Sequence, residues 1–251
     1  MLLELNLRSK ELGKNTEVSI LLPNAVAESS ARFRTLWLFH GLSGDHTAWM
    51  RNTSIERYAA KYDLAVVMPS VDRSWYTNTQ YGLRYFDYVT KELPTLCRNA
   101  FACMSDKRED NIVAGLSMGG YGALKAALTY PEQYGACISL SGSVDITRKG
   151  RAVNLPEWKG NFDFQMQAPI ELEGSEHDLF ALAQKLHEEK KEFPNIYMWC
   201  GLEDALIVPN RALDAHLSAL EVKHRFDFSE GDHTWQWWDL HIQNALKWAL
   251  E

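Results

Sequence analysis

The sequence predicts an α/β fold: a mostly parallel central sheet of about eight strands with helices on both faces. Three observations point there. Short β-like runs alternate with longer helix-like ones along most of the 251 residues, as crossover connections require. The interior β-like runs are almost continuously apolar, which suits parallel strands covered on both sides. No repeat, low-complexity tract or linker interrupts the alternation, so residues 1–251 read as a single domain.

The elements follow in order. Residues 1–7 and 16–22 alternate in polarity about a turn at Gly13-Lys14-Asn15, and predict an antiparallel hairpin at one sheet edge. The apolar runs 35–39, 64–68, 111–114, 136–140 and 195–199 predict interior strands, and 225–228 completes the set. Helices are predicted at 54–62, 82–98, 118–129, 177–190, 209–220 and 235–250. Pro131 lies just past the third and Pro209 opens the fifth, where proline punctuates helices. The stretch 143–176 breaks the pattern with Gly150, Pro156, Gly160, Pro169 and Gly174 around Trp158 and Phe162. It predicts an irregular insertion near the active site.

Composition narrows the partners. With 46% hydrophobic and 24% charged residues the chain is an ordinary globular one, and disorder is excluded. Its 26 basic against 33 acidic residues leave a net charge of −7, which argues against nucleic acid or an anionic membrane as partner. Glu4 and Asn6 interrupt the leucines of the first eight residues, so no secretory signal is read there. No apolar run approaches the roughly 20 residues of a membrane helix, and membrane insertion is not expected. Cys97, Cys103, Cys137 and Cys200 lack C-x-x-C or metal-type spacing, so no metal site is predicted. Cys137 and Cys200 read as core hydrophobes in a reducing compartment; Cys97 and Cys103 are close enough to raise a disulfide but are read as free. A cytoplasmic location is the resulting expectation.

The chemistry concentrates at Gly115-Leu116-Ser117-Met118-Gly119, a G-x-S-x-G pattern between an apolar strand and an Ala-rich helix. A sharp strand-to-helix turn strains its central residue, and flanking glycines remove side chains that would collide with the neighbouring chain. Ser117 is thereby presented at the carboxyl end of the sheet, beside the positive end of a helix suited to a developing anion. A bare G-x-S-x-G is common and a serine there also serves as a plain N-cap, so partners must decide.

A serine hydroxyl needs a base, and the base needs an orienting group. The acid is sought at the end of the strand 195–199, where Glu203 and Asp204 compete; the Gly201-x-x-Asp204 spacing lets the chain turn before presenting the carboxylate and favours Asp204. The base is His233, in the loop after the last strand, with His46 as the weaker alternative. Asp232 is set aside because adjacent side chains on an extended chain point apart. For a nucleophile in this setting the oxyanion donors are the amide after the serine and one from the loop after the third strand, hence Met118 and Leu42. His40, in that same loop, is given no proton-transfer role.

With these elements in line the chain resembles the α/β-hydrolases of the esterase D family, and among them the bacterial tributyrin esterases. Other branches are S-formylglutathione hydrolases, feruloyl and acetyl xylan esterases and mycolyltransferases. The resemblance rests on HGLSGDHTAW at 40–49, VVMPS at 66–70, WYTNT at 75–79, YFDY at 85–88, AGLSMGGYGA at 114–123 and GDHTW at 231–235. It implies a serine carboxylesterase that hydrolyses short acyl esters, acetyl to butyryl, through a Ser117 acyl-enzyme with Asp204 and His233. It implies Leu42 and Met118 as oxyanion donors, no metal or organic cofactor, a small-molecule ester substrate, and by analogy room for a homo-oligomer. A thioesterase of the S-formylglutathione hydrolase type, an acyltransferase on the same triad and a non-catalytic binding module are the alternatives. Among the nine tryptophans, Trp37, Trp199, Trp238 and Trp248 read as core, and Trp49, Trp75 and Trp158 as rim residues of a substrate pocket.

Overall fold

The computed structural model describes residues 1–24, 32–79, 82–146 and 172–251. Eight strands form one sheet: β1 (Leu2–Arg8), β2 (Asn15–Leu21), β3 (Thr35–Phe39), β4 (Ala65–Pro69), β5 (Asn111–Leu116), β6 (Ala136–Leu140), β7 (Asn195–Gly201) and β8 (His224–Ser229). Their order is β1-β2-β4-β3-β5-β6-β7-β8, with β1, β2 and β4 antiparallel and every later pairing parallel. The predicted hairpin is therefore at the sheet edge, and it pairs onward with β4 in antiparallel register from Val18 opposite Pro69.

Side-chain alternation along the parallel strands divides the interior in two. Trp37, Phe39, Val67, Val113, Cys137, Ile196 and Met198 face one core. Leu36, Leu38, Val66, Ile112, Ala114, Ile138, Tyr197 and Trp199 face the other. Because the strand period is two, a run apolar at every position buries both faces, and helices must cover each. The first core is closed by α3 (Tyr85–Asp87) with the segments that continue it, α5 (Met118–Thr129), α6 (Leu179–Glu188) and α7 (Ile207–Ala219). The second is closed by α1 (Ala48–Asn52), α2 (Ile55–Lys61) and α8 (Trp235–Leu250).

The helix expected over 82–98 starts later and is not uniform. After α3 it runs through a π turn at Tyr88–Glu92 into α4 (Leu93–Ala100). Pro94 supplies the reason: it has no N–H and its ring crowds the carbonyl four residues back. In the wider register Leu93 N–H donates to Tyr88 O, five residues back. The short α1 was not anticipated; it follows the turn in which Asp45 accepts hydrogen bonds from the amide and hydroxyl of Thr47. Helix α6 starts two residues later than predicted because Asp178 caps it, its carboxylate accepting from the amides of Phe180 and Ala181. Of the predicted insertion 143–176, residues 147–171 lie outside the described residues, and Trp158 with them. All four cysteines are free, as read for Cys97 and Cys103. No described helix is long and apolar enough to cross a membrane.

The parallel register aligns the strand ends. Phe39 pairs with Gly115, Leu116 with Leu140, Leu140 with Trp199, and Gly201 with Ser229. The loops that follow β3, β5, β6, β7 and β8 consequently open on one edge of the sheet.

Candidate active site

Ser117 stands between β5 and α5 with φ of +53°, a backbone conformation that side chains rarely adopt. Three backbone hydrogen bonds hold it there. Its amide donates to Leu140 O at 3.0 Å, while its own carbonyl accepts from Tyr121 N at 3.1 Å and Ser143 N at 3.0 Å. The flanking glycines are a matter of space. A Cβ on Gly115 would overlap the carbonyl of Gly119, and one on Gly119 would lie 2.5 Å from Phe39 O and 2.6 Å from His40 O. The first turn of α5 is thus pressed both against β5 and against the end of β3.

That contact places the loop after β3 beside the serine. A Cβ on Gly41 would sit 3.6 Å from Ser117 Cβ, and Leu42 follows directly, half-buried against the first core. The loop is braced from behind. Trp49 Nε1–H donates to Phe39 O at 3.0 Å, Tyr76 O–H donates to His40 O at 2.9 Å, and Gly44 N–H closes a turn onto Gly41 O. His40 is buried, with Nδ1 2.7 Å from Gly41 O and Nε2 3.0 Å from Val71 N. Burial holds its pKa below the usual histidine value, and a neutral ring protonated on Nδ1 satisfies both contacts. Met118 N is the first amide of α5, at the end where helical N–H groups lack intrahelical partners.

Asp204 follows β7 and is 2% exposed. Its Oδ1 accepts from Leu206 N at 2.8 Å, and its Oδ2 lies 2.8 Å from His233 Nδ1. Burial acts to raise its pKa, but the hydrogen bond and charge of His233, the Leu206 amide and the Ser141 hydroxyl outweigh it and hold the carboxyl below the usual range. His233 Nε2 lies 2.9 Å from Ser117 Oγ. With Nδ1–H donating to Asp204, Nε2 is left as the acceptor for the serine proton. Glu203 faces elsewhere: its carboxylate accepts from Gly231 N at 2.6 Å and its amide donates to Gly231 O at 3.0 Å, clamping the loop that carries His233. His46 is also elsewhere, with Nδ1 3.1 Å from Ser70 Oγ and Nε2 3.6 Å from Glu4.

Two of the three expected rim tryptophans are corrected. Trp49 and Trp75 are each 1% exposed. Trp49 turns inward because its indole N–H braces the Phe39 carbonyl, and Trp75 because its ring packs edge-on against Tyr121 at 6.0 Å. The roles of Tyr76, Glu203 and Ser141 were not read from the sequence, although Tyr76 lies in the motif at 75–79. Among the described residues no group of His, Cys, Asp and Glu side chains is arranged to hold a metal.

Residues 9–249 match the family described as "Putative esterase". An acetyl esterase from Caldicellulosiruptor saccharolyticus is 32% identical over 259 residues, covering 98% of this chain and 97% of that protein. Among solved structures, FphF, a fluorophosphonate-binding serine hydrolase of Staphylococcus aureus, superposes with a TM-score of 0.92 at 35% identity, covering 100% of this chain and 98% of that one. The S-formylglutathione hydrolase FrmB of the same organism gives 0.89 at 34% identity, covering 100% and 99%. A match over nearly the whole chain, to proteins of the same architecture, decides the family: this chain belongs to the esterases.

Proposed function

We propose that the protein is a serine carboxylesterase hydrolysing short acyl esters, acetyl to butyryl, through an acyl-enzyme on Ser117. The observation that carries this reading is the unbroken relay from Asp204 through His233 to Ser117, at 2.8 and 2.9 Å. His233 Nε2 takes the hydroxyl proton as Ser117 Oγ attacks the ester carbonyl, and Asp204 stabilises the imidazolium that forms. The amides of Leu42 and Met118 receive the carbonyl oxygen as it gains charge. The carbon–oxygen bond then breaks, His233 delivers the proton to the departing alcohol, and water repeats the sequence on the acyl-enzyme. None of these steps calls for a metal or an organic cofactor.

The test combines fluorophosphonate labelling, mapping of the modified residue and a p-nitrophenyl ester series. Label on Ser117, its absence in Ser117→Ala, loss of turnover in that variant, and kcat/KM highest from acetyl to butyryl are expected. Label on another residue removes Ser117 from the mechanism; a maximum at octanoyl or beyond removes the chain-length reading.

A second reading is favoured by one observation, the 34% identity to an S-formylglutathione hydrolase across the full length of both chains. The same relay would attack a thioester. A kcat/KM for S-formylglutathione far above that for p-nitrophenyl acetate would make the thioester the substrate.

A further inference from the structure

His233 is the open member of the three, its side chain 37% exposed where that of Asp204 is 0%, and Ser117 is buried. Dense packing does not hold it. Instead a line of aromatic rings runs up to it. Trp49 meets Trp235 at 5.3 Å between centroids and 89° between planes, Trp235 meets Trp238 at 5.3 Å and 84°, and Trp238 meets the His233 imidazole at 4.9 Å and 87°. Each contact has the edge-to-face geometry that aromatic rings favour.

Both outer indoles are tied to the carboxyl edge of the sheet. Trp49 Nε1–H donates to Phe39 O, and Trp238 Nε1–H donates to Ser141 Oγ at 3.1 Å. Ser141 is itself rigidly placed, with φ of +46° and its amide donating to Trp199 O at 2.6 Å. The imidazole, by contrast, has a broad torsion about its ring bond. Its bond to Ser117 must break when Nε2 takes the proton and turns to the leaving group, so a wall that does not react is needed to keep the ring in plane.

The geometry points to Trp238 as a positioning residue for the esterase reaction, backed by Trp235 and Trp49 and anchored through Ser141. The inference rests on the assignment of His233 as the base. It also accounts for Trp49, which belongs to the interior end of this line and not to a pocket rim.

The experiment compares Trp238→Leu, Trp238→Phe, Trp235→Leu and a control, Trp248→Leu, on the same helix but packed against Tyr197. Small displacements of reacting groups cost up to about 100-fold. Trp238→Leu is expected to lower kcat roughly 10- to 100-fold with KM within about twofold, and to slow fluorophosphonate labelling of Ser117 in parallel. Trp238→Phe, which keeps a ring against His233, should recover most of that loss, and Trp235→Leu should cost about threefold or more in kcat. Trp248→Leu should lower Tm without lowering kcat. The inference is overturned if folded Trp238→Leu keeps kcat within twofold, if Phe is as damaging as Leu, if the loss lies in KM alone, or if Trp248→Leu lowers kcat equally. Should Trp238→Leu fail to fold, the half-buried Trp235 decides, and wild-type kcat in Trp235→Leu overturns it. Turnover surviving in Ser117→Ala would instead defeat the mechanism itself, so the two failures are distinguishable.

Discussion

Ser117 and His233 meet at 2.9 Å, yet the serine itself is closed in by backbone, while the loop that carries the histidine meets backbone at Gly231 but at the imidazole is open to solvent and held by side chains. At the serine, β5, α5 and the end of β3 approach so closely that only hydrogen fits at Gly115 and Gly119. At the histidine loop the backbone contact stops at Gly231, which is pressed on Gly201 and bonded to both the amide and the carboxylate of Glu203; beyond it Trp237 lies on the same glycine and Trp238 walls the ring. The difference teaches where each half is vulnerable. A backbone-held group tolerates almost no added atom, whereas a group held by side chains loses activity in steps as each brace is removed.

The largest effect that probes this contrast comes from the link between the halves. Asp204→Asn should lower kcat about 10⁴-fold, because an amide no longer fixes the imidazole with its proton on Nδ1. Steady-state kinetics with p-nitrophenyl acetate reads it, and a loss under tenfold would mean that His233 is held well enough without the carboxylate. Next, Gly119→Ala should lower kcat by about 100-fold or more and cost about 1–3 kcal/mol of stability, since its methyl would press on the carbonyls of Phe39 and His40. Kinetics and denaturant unfolding check both figures; near-wild-type values would refute the backbone-held half of the contrast.

Glu203→Gln is the graded counterpart. It replaces a charge-assisted hydrogen bond to Gly231 N with a neutral one, and should lower kcat about 10-fold with little change in KM. Full activity in that variant would leave the clamp without a role.

The smallest effect concerns acid stability on the side of the molecule that carries His233. His241, on α8, stacks on Trp199 at 3.9 Å, and burial pulls its pKa down to about 4. A lowered histidine pKa means that on acidification the unfolded chain takes the proton first. The stability it allows is present above about 6.5, declines as pH falls, and levels off below about 4. Tm should therefore fall across that window, and His241→Phe should flatten part of the fall. An unchanged slope in thermal scans at pH 7, 6, 5 and 4 would show that His241 does not contribute.

Legibility in the sequence followed the range of the interactions concerned. The strands were read correctly because apolar runs such as Ile112-Val-Ala and Ile196-Tyr-Met-Trp199 describe their own burial. The strand-to-helix turn at Ser117 was also readable, since its glycines sit two residues either side of it. Helix ends were less so: the π turn before Pro94 and the cap at Asp178 depend on local geometry that periodicity does not report. Least readable were contacts between remote segments. Lys125 in an Ala-rich helix gives no sign of being buried, yet its ammonium nitrogen lies 3.0 Å from His177 Nδ1 and burial lowers its pKa to about 7. Trp49 and Trp75 read as pocket-rim residues for the same reason, because their partners Trp235 and Tyr121 are far along the chain.

By itself the sequence determined the layered α/β architecture, the strand-to-helix turn at Ser117 and the order of serine, acid and histidine along the chain, because periodicity and short motifs are local properties. Only the tertiary structure decided that Asp204 meets His233 while Glu203 clamps Gly231, that Trp49 braces Phe39 from inside, and that Trp238 stands against the imidazole. Adjacent residues such as Glu203 and Asp204 carry the same charge and nearly the same chemistry. Which one reaches the histidine depends on how β7 and β8 register across the sheet, a geometry that exists only once the chain has packed.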